Sequence, residues 1–258
     1  VIKAFAKVLN DQSVDNALRA RLLQLPDIGY LQELVDVIDI DALVAAHTFV
    51  KKALASALIE PLSHSYLAMH GANAMDGESA GKRALANTCL SLLVETEHAE
   101  MIALAVKQAN NAQNMTDKFA ALKALAHSQA PEREAVLAAF AEEFADEALV
   151  MDKWFMVQAS SPQKNTLQEI ARLEQHPAFD AKNPNKVRAL WMALSHANPA
   201  VFHANDGSGY QFVAERVAKL NVTNPQIAAR MVSCFNRWKR YDEARQRMML
   251  SELKQLLA

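Results

Sequence analysis

Asn224-Pro225-Gln226-Ile227-Ala228-Ala229-Arg230-Met231 opens with the signal that decides the fold. An asparagine side chain can accept a hydrogen bond from one of the first free amides of a helix. A proline directly after it loses nothing, because the amide it lacks has no partner at that position anyway. The apolar residues that follow recur at helical spacing, so Asn224-Pro225 reads as the start of a helix. Working outward, Asn198-Pro199, Asn183-Pro184 and Ser161-Pro162 repeat the pattern. Two further starts are expected at Thr116, before Asp117-Lys118-Phe119, and at Ala130-Pro131-Glu132-Arg133-Glu134. There, acidic residues in the first turn complement the helix dipole.

The rest of the chain agrees with an all-α fold. Only 6 Gly and 8 Pro occur in 258 residues, Ala, Leu, Glu, Gln, Lys and Met are abundant, and strand-like runs are missing. The periodicity predicts helices over 13–24, 30–36, 41–69, 80–94, 97–112, 117–128, 132–145, 147–159, 163–175, 185–196, 199–203, 209–220, 225–239 and 241–257. Pro61 is expected to kink or break the long 41–69 segment. Short polar connections favour antiparallel neighbours, and a long series of these stacks into a right-handed superhelix, an irregular α-solenoid. No strict 34- or 40-residue period is visible, which disfavours consensus tetratricopeptide or HEAT repeats.

Net charge is -2, so no global excess draws the chain to nucleic acid or to an anionic membrane surface. Apolar runs are interrupted well before the roughly 20 residues that a bilayer span requires, so no membrane partner is expected. The two cysteines, Cys89 and Cys234, sit in apolar helical contexts, which fits a reducing compartment, and the expected location is cytoplasmic. The first residues, Val1-Ile2-Lys3-Ala4-Phe5, read as the inside of an amphipathic helix, so the sequence is expected to be a fragment of a longer protein.

A metalloprotease motif with two His one helical turn apart and an intervening Glu is absent; Glu95-Thr96-Glu97-His98-Ala99-Glu100 and the pair His64 and His70 only imitate it. No metal or other cofactor is therefore expected in this chain. His47 shares an apolar stripe with Leu43, Val50, Leu54 and Leu58 and is expected to be a partly buried structural histidine. Asp206-Gly207-Ser208-Gly209-Tyr210 lacks the preceding strand and the following Gly-Lys-Thr of a phosphate loop and reads as a tight turn between helices. Leu149 to Val157 is apolar nearly all round, a central helix in which Asp152 and Lys153 are expected to form ion pairs or caps. The basic residues from Arg230 to Arg247 read as a solvated face.

The most informative pattern lies in the helix opened by Asn224-Pro225. Gln226, Arg230, Ser233 and Arg237 recur at i, i+4, i+7 and i+11 and form one narrow polar stripe. Ile227, Met231, Cys234, Phe235 and Trp238 are left to pack on neighbours. Such a helix can aim amide and guanidinium donors at a cavity or a partner, or simply at solvent.

Several stretches together carry a family resemblance. Asn183-Pro184-Asn185-Lys186-Val187-Arg188, Asn198-Pro199 through Phe202-His203, Asp206 to Tyr210, Asn224-Pro225-Gln226 and Lys239-Arg240-Tyr241-Asp242 resemble the C-terminal domain of bacterial aminopeptidase N. Asn111, Asn114-Met115-Thr116-Asp117 and the Leu149 to Phe155 block resemble the same domain in the same order. The resemblance implies that residues 1–258 form the C-terminal helical domain of a four-domain zinc metallopeptidase that removes N-terminal residues from peptides. It places the zinc ligands and general base in an upstream domain. It also implies that this domain walls off an internal chamber, with the upstream catalytic and N-terminal domains of the same polypeptide and peptide substrates as its partners. Gln226 and Arg230 match positions that face the chamber and the substrate path, and no catalytic residue is expected. The sequence departs from the family at 236–239, where Asn236 and Trp238 replace smaller or aliphatic residues, and at a shorter C-terminal end, so the last helix is expected to finish differently. The alternative reading is an α-solenoid adaptor that binds a protein or peptide on its concave face.

Overall fold

The computed structural model describes residues 1–257. In chain order the α-helices are α1 (Ile2–Asn10), α2 (Asn16–Leu22), α3 (Ile28–Glu33), α4 (Ile40–Ala57), α5 (Ile59–Met69), α6 (Gly77–Val94), α7 (Ala99–Asn111), α8 (Met115–Ala126) and α9 (Arg133–Glu143). They continue as α10 (Ala148–Ala159), α11 (Thr166–Leu173), α12 (Pro184–Val187), α13 (Ala193–Ala197), α14 (Pro199–Phe202), α15 (Ser208–Thr223), α16 (Pro225–Val232) and α17 (Glu243–Leu257). A π-helical turn, Arg188–Met192, joins α12 to α13, and two 3-10 turns, Ser233–Phe235 and Trp238–Arg240, follow α16. Among the described residues the one extended pairing is an isolated parallel bridge between Ile38 and Tyr241. The fold is all-α, as the sequence predicts.

The chain divides into two compact units, one made of Val1–Pro26 and Ala46–Ala139, the other of Asp27–Ala45 and Phe140 onward. In the first unit α6 is the central element, with α2, α5, α7 and α8 packed on it. Its buried residues include Leu85, Ala86, Cys89, Leu90 and Leu93. The helix passes so close to α2 that a Cβ on Gly81 would stand 3.2 Å from the Ala17 amide nitrogen. A polar network lies inside this unit. Gln108 donates to Asn87 and to the Asp117 carbonyl, and Asn87 donates to Asp117, each at 2.8 Å. Such a network is tolerated in a core only because its members are paired.

In the second unit α10 packs on α11 and on the π-helical turn, while α15 packs on α16 and α17. Buried ion pairs fix these layers: Lys186 with Asp152 at 2.8 Å, and Arg216 with Glu174 at 2.8 Å. Glu174 also accepts from the Trp191 indole at 2.8 Å. Asn198 both caps α14 and donates to the carbonyls of Ala159 and Ser161, tying the α14 start to the end of α10.

Three of the four predicted capping junctions are in place. Asn183, Asn198 and Asn224 each accept from an amide of the helix they open. Ser161-Pro162 does not open a helix; α11 starts at Thr166, and the Ser161 carbonyl instead accepts from Thr166 and Asn198. The cap of α8 is Asn114 rather than Thr116, with Asp117 as the residue whose amide it receives. The 41–69 segment does break, but at Leu58, where α4 and α5 meet at a bend of 76°. Pro61 lies in the first turn of α5, where a missing amide leaves no bond unmade. The predicted 225–239 helix ends at Val232. Phe235 then turns inward against the rings of Phe202 and Tyr210, at 5.8 and 6.1 Å, and the backbone follows it into the 3-10 turns.

The turn at 206–209 is the tightest joint in the second unit. Gly207 has φ 75°, a left-handed conformation that favours glycine, and Asp206 accepts from the Ser208 amide at 2.9 Å. Gly209 is required for a different reason, since a Cβ there would lie 2.3 Å from the Phe202 carbonyl oxygen. Gly209→Ala is expected to destabilise the fold by about 2 kcal/mol or more, because the obstacle is backbone and cannot rotate away. Gly77→Ala, where a Cβ meets nothing within 4 Å, is expected to stabilise by about 0.5 kcal/mol. Urea unfolding midpoints of the two variants check both signs.

Candidate functional site

The polar stripe starts from a fixed helix. Asn224 holds the first turn of α16, and Ile227, Ala228 and Met231 are buried against α15. That leaves Gln226, Ala229 and Arg230 exposed on the outer face. Gln226 and Arg230 are one turn apart, and neither side chain has a hydrogen bond or ion pair among the described residues. The outward direction of these two matches the helical spacing.

The stripe does not continue as predicted. Because α16 ends at Val232, Ser233 stands on the first 3-10 turn and Arg237 in the link between the two, not on one straight helix face. Ser233 donates to the Arg230 carbonyl at 2.6 Å, which closes the end of the helix. Arg237 forms an ion pair with Glu33, and Arg240 reaches the same carboxylate at 3.0 Å. Arg240 also donates to the carbonyls of Gln32 and Val35, at 2.8 and 2.6 Å.

The reading of 230–247 as a plain solvated face is therefore corrected. Arg245 is buried, with its guanidinium held by four groups. It donates to Asp242 at 2.8 Å, to both oxygens of Asp41 at 2.9 Å, to the His203 carbonyl at 3.0 Å, and to Asn205. Nothing in the local periodicity distinguishes Arg245 or Arg240 from their exposed neighbours, since their partners lie up to 208 residues away. Asp152 pairs with Lys186, as the ion-pair expectation for it required, and His47 is half-buried. Both cysteines are free, Cys89 fully buried.

Beside this cation lies a buried aromatic relay. His203 hydrogen-bonds to the Tyr210 hydroxyl through Nδ1 at 2.8 Å and to the Tyr241 hydroxyl through Nε2 at 3.1 Å. Burial, then the Arg245 charge, pulls the His203 pKa down from 6.5 to about 3, so the imidazole stays neutral. Burial also pushes the Tyr241 phenol up to about 12 and the Tyr210 phenol upward. These groups are fully enclosed and structural. A separate shallow cleft of about 330 Å³ is lined by Trp238, Glu243, Gln246, Arg247 and Leu250.

Among the described residues no three His, Cys, Asp or Glu side chains come together to hold a metal ion.

A family model described as a domain of unknown function (DUF3458_C) with ARM repeats matches residues 1–258. The chain belongs to this family of all-α, solenoid-type repeats. The relatives that it resembles are larger proteins. Aminopeptidase N of Escherichia coli (strain K12) is 41% identical over 263 residues, covering 99% of this chain and 30% of that protein. Aminopeptidase N of Caulobacter vibrioides is 34% identical over 257 residues, with 99% and 30% covered. The crystal structure of Legionella pneumophila aminopeptidase A in complex with aspartic acid superposes with a TM-score of 0.90 at 28% identity, covering 99% of this chain and 31% of that one. The chain thus spans about 30% of the length of the curated relatives it matches, in their C-terminal portion.

The neutral His203 makes a signed prediction about pH. Its pKa is depressed in the fold, so below about 6.5 the unfolded chain binds a proton that the folded chain refuses until about pH 3. Its contribution is complete above pH 6.5 and declines as pH falls towards 3, by up to about 1.4 kcal/mol per pH unit. The stability difference between the wild type and His203→Gln, measured by chemical denaturation, should shrink between pH 7 and pH 5. A difference that stays constant would show that His203 does not titrate this way.

Proposed function

We propose that this chain is the non-catalytic C-terminal domain of a zinc-dependent aminopeptidase that removes N-terminal amino acids from peptides. In this reading it encloses the catalytic chamber, controls which peptides enter and positions them, while the zinc ligands belong to the upstream part of the polypeptide. The cytoplasm is the proposed location. The relatives support the reading by name and by the near-complete alignment of this chain with about 30% of each.

The observation that carries a role for the Gln226–Arg230 face is the state of Arg230. The guanidinium of Arg230 is exposed and has no partner among the described residues, whereas Arg237, Arg240 and Arg245 are each matched by carboxylates. A guanidinium with all its donors available suits a carboxylate, which it can grip through two parallel bonds. The free carboxyl end of a peptide is the fitting group, and Gln226 one turn away can donate its amide to a backbone carbonyl of the same peptide. Such contacts supply positioning and affinity; bond breaking takes place elsewhere.

In the full polypeptide, Arg230→Ala is expected to raise KM for short peptides with a free carboxyl end by about tenfold, the scale of one charge-assisted bond. The value of kcat, and turnover of an aminoacyl-arylamide that has no such carboxylate, should change little. Equal losses on free and C-terminally amidated peptides would sink the carboxylate role.

A further inference from the structure

Residues 27–41 form a loop-and-helix excursion whose composition is unusual for this chain. It contains Asp27, Glu33, Asp36, Asp39 and Asp41 and no Lys or Arg. It also displays three large apolar side chains to solvent: Tyr30 at 57%, Leu34 at 64% and Val37 at 66% exposure. Tyr30 and Leu34 are four residues apart on α3 and its C-cap, so they share one face. Val37 precedes Ile38, which is fully buried beside Tyr241, and the extended backbone there turns Val37 outward.

This excursion is pinned. Asp27 caps α3 by accepting from the Tyr30 amide at 2.7 Å, and Arg240 holds the carbonyls of Gln32 and Val35. The Ile38 amide donates to the Arg240 carbonyl at 2.7 Å, and Arg245 grips Asp41. Long-range bonds of this kind fix the backbone that carries the apolar side chains, although nothing within the described residues covers them. An apolar centre with a charged rim, held rigid before contact, has the anatomy of a protein interface. Its rim is acidic: Asp36 and Asp39 are exposed, and only Glu33 and Asp41 are neutralised by arginines.

We propose that the Tyr30–Leu34–Val37 surface is the seat of the upstream part of the same polypeptide, which meets it with apolar side chains flanked by Lys or Arg. The proposal rests on the aminopeptidase reading, because the matched relatives carry about 70% of their length outside the portion that this chain covers. That remaining length supplies an occupant present at high effective concentration, which neither a second copy nor an unrelated protein has.

The test uses the full polypeptide with a photoreactive benzoyl-phenylalanine at position 34 and, as a control, at position 222, where Val222 is 86% exposed. Irradiation followed by mass spectrometry is expected to join position 34 to segments that precede Val1, with a yield several-fold above the control. Links to a second, isotope-labelled copy, or a yield no higher than the control, would overturn the proposal. Leu34→Asp adds an independent readout: it should lower the Tm of the full polypeptide, whereas a solvent-facing Leu34 would tolerate the change. Arylamide hydrolysis measured on the same preparation separates the two ideas. An active enzyme without the cross-link refutes the docking surface alone, and a cross-linked protein without aminopeptidase activity refutes the functional reading alone.

Discussion

The second unit depends on one buried cation. The Arg245 guanidinium has left water, and a charge in that position is tolerated only when every donor finds an acceptor. All three of its nitrogens do: Nε with the His203 carbonyl, Nη1 with Asp242, and Nη2 with Asp41 and Asn205. The partners come from three places in the sequence, the start of α4, the turn before α15 and the start of α17. Removing the guanidinium would leave carboxylates facing one another, and removing a carboxylate would leave part of the charge unmatched, so the three segments are locked as a set. The same cation discourages protonation of His203, which keeps both neighbouring phenols supplied with a neutral hydrogen-bond partner.

Two shorter locks complete what Arg245 begins. Glu33 receives both Arg237 and Arg240, and the backbone bridge at Ile38 and Tyr241 sets the segment before α4 against the end of the 3-10 turns. Most of these contacts join residues about 200 positions apart in sequence, which gives them a large loop to close and makes them dependent on the rest of the unit being folded first. The apolar α3 face and the Arg230 face both stand on this scaffold, so neither is a loose surface loop whose side chains could be placed at will.

This explains which parts of the molecule could be read from the sequence. Caps are local physics: Asn183, Asn198 and Asn224 act on amides two or three residues away, and all three were legible. The outward direction of Gln226 and Arg230 was legible for the same reason, since both lie within one uninterrupted helix. Arg237 was misplaced on the stripe because helical spacing cannot register a helix end that is caused at a distance. The ring of Phe235 is drawn between Phe202 and Tyr210, and no residue near Val232 announces it. Arg240 and Arg245 looked like neighbours of a solvated face because a sequence pattern records charge but not the partner that removes it from water. The break at Leu58 was assigned to Pro61 by a sound rule applied three residues too far along, since a proline in the first turn is a permitted residue.

What separates the arginines of this region is therefore partnership, not position. Arg245 is enclosed by carboxylates, and Arg237 and Arg240 share one; each contributes to the fold, and its field at the surface is largely cancelled. Arg230 adds a full positive charge to the outer face of α16, because nothing in the described residues offsets it. The fold neutralises the guanidiniums of Arg237, Arg240 and Arg245 and leaves that of Arg230 without a carboxylate among the described residues. An open guanidinium of this kind is suited to a carboxylate-bearing ligand, which is the physical basis of the role proposed for Arg230.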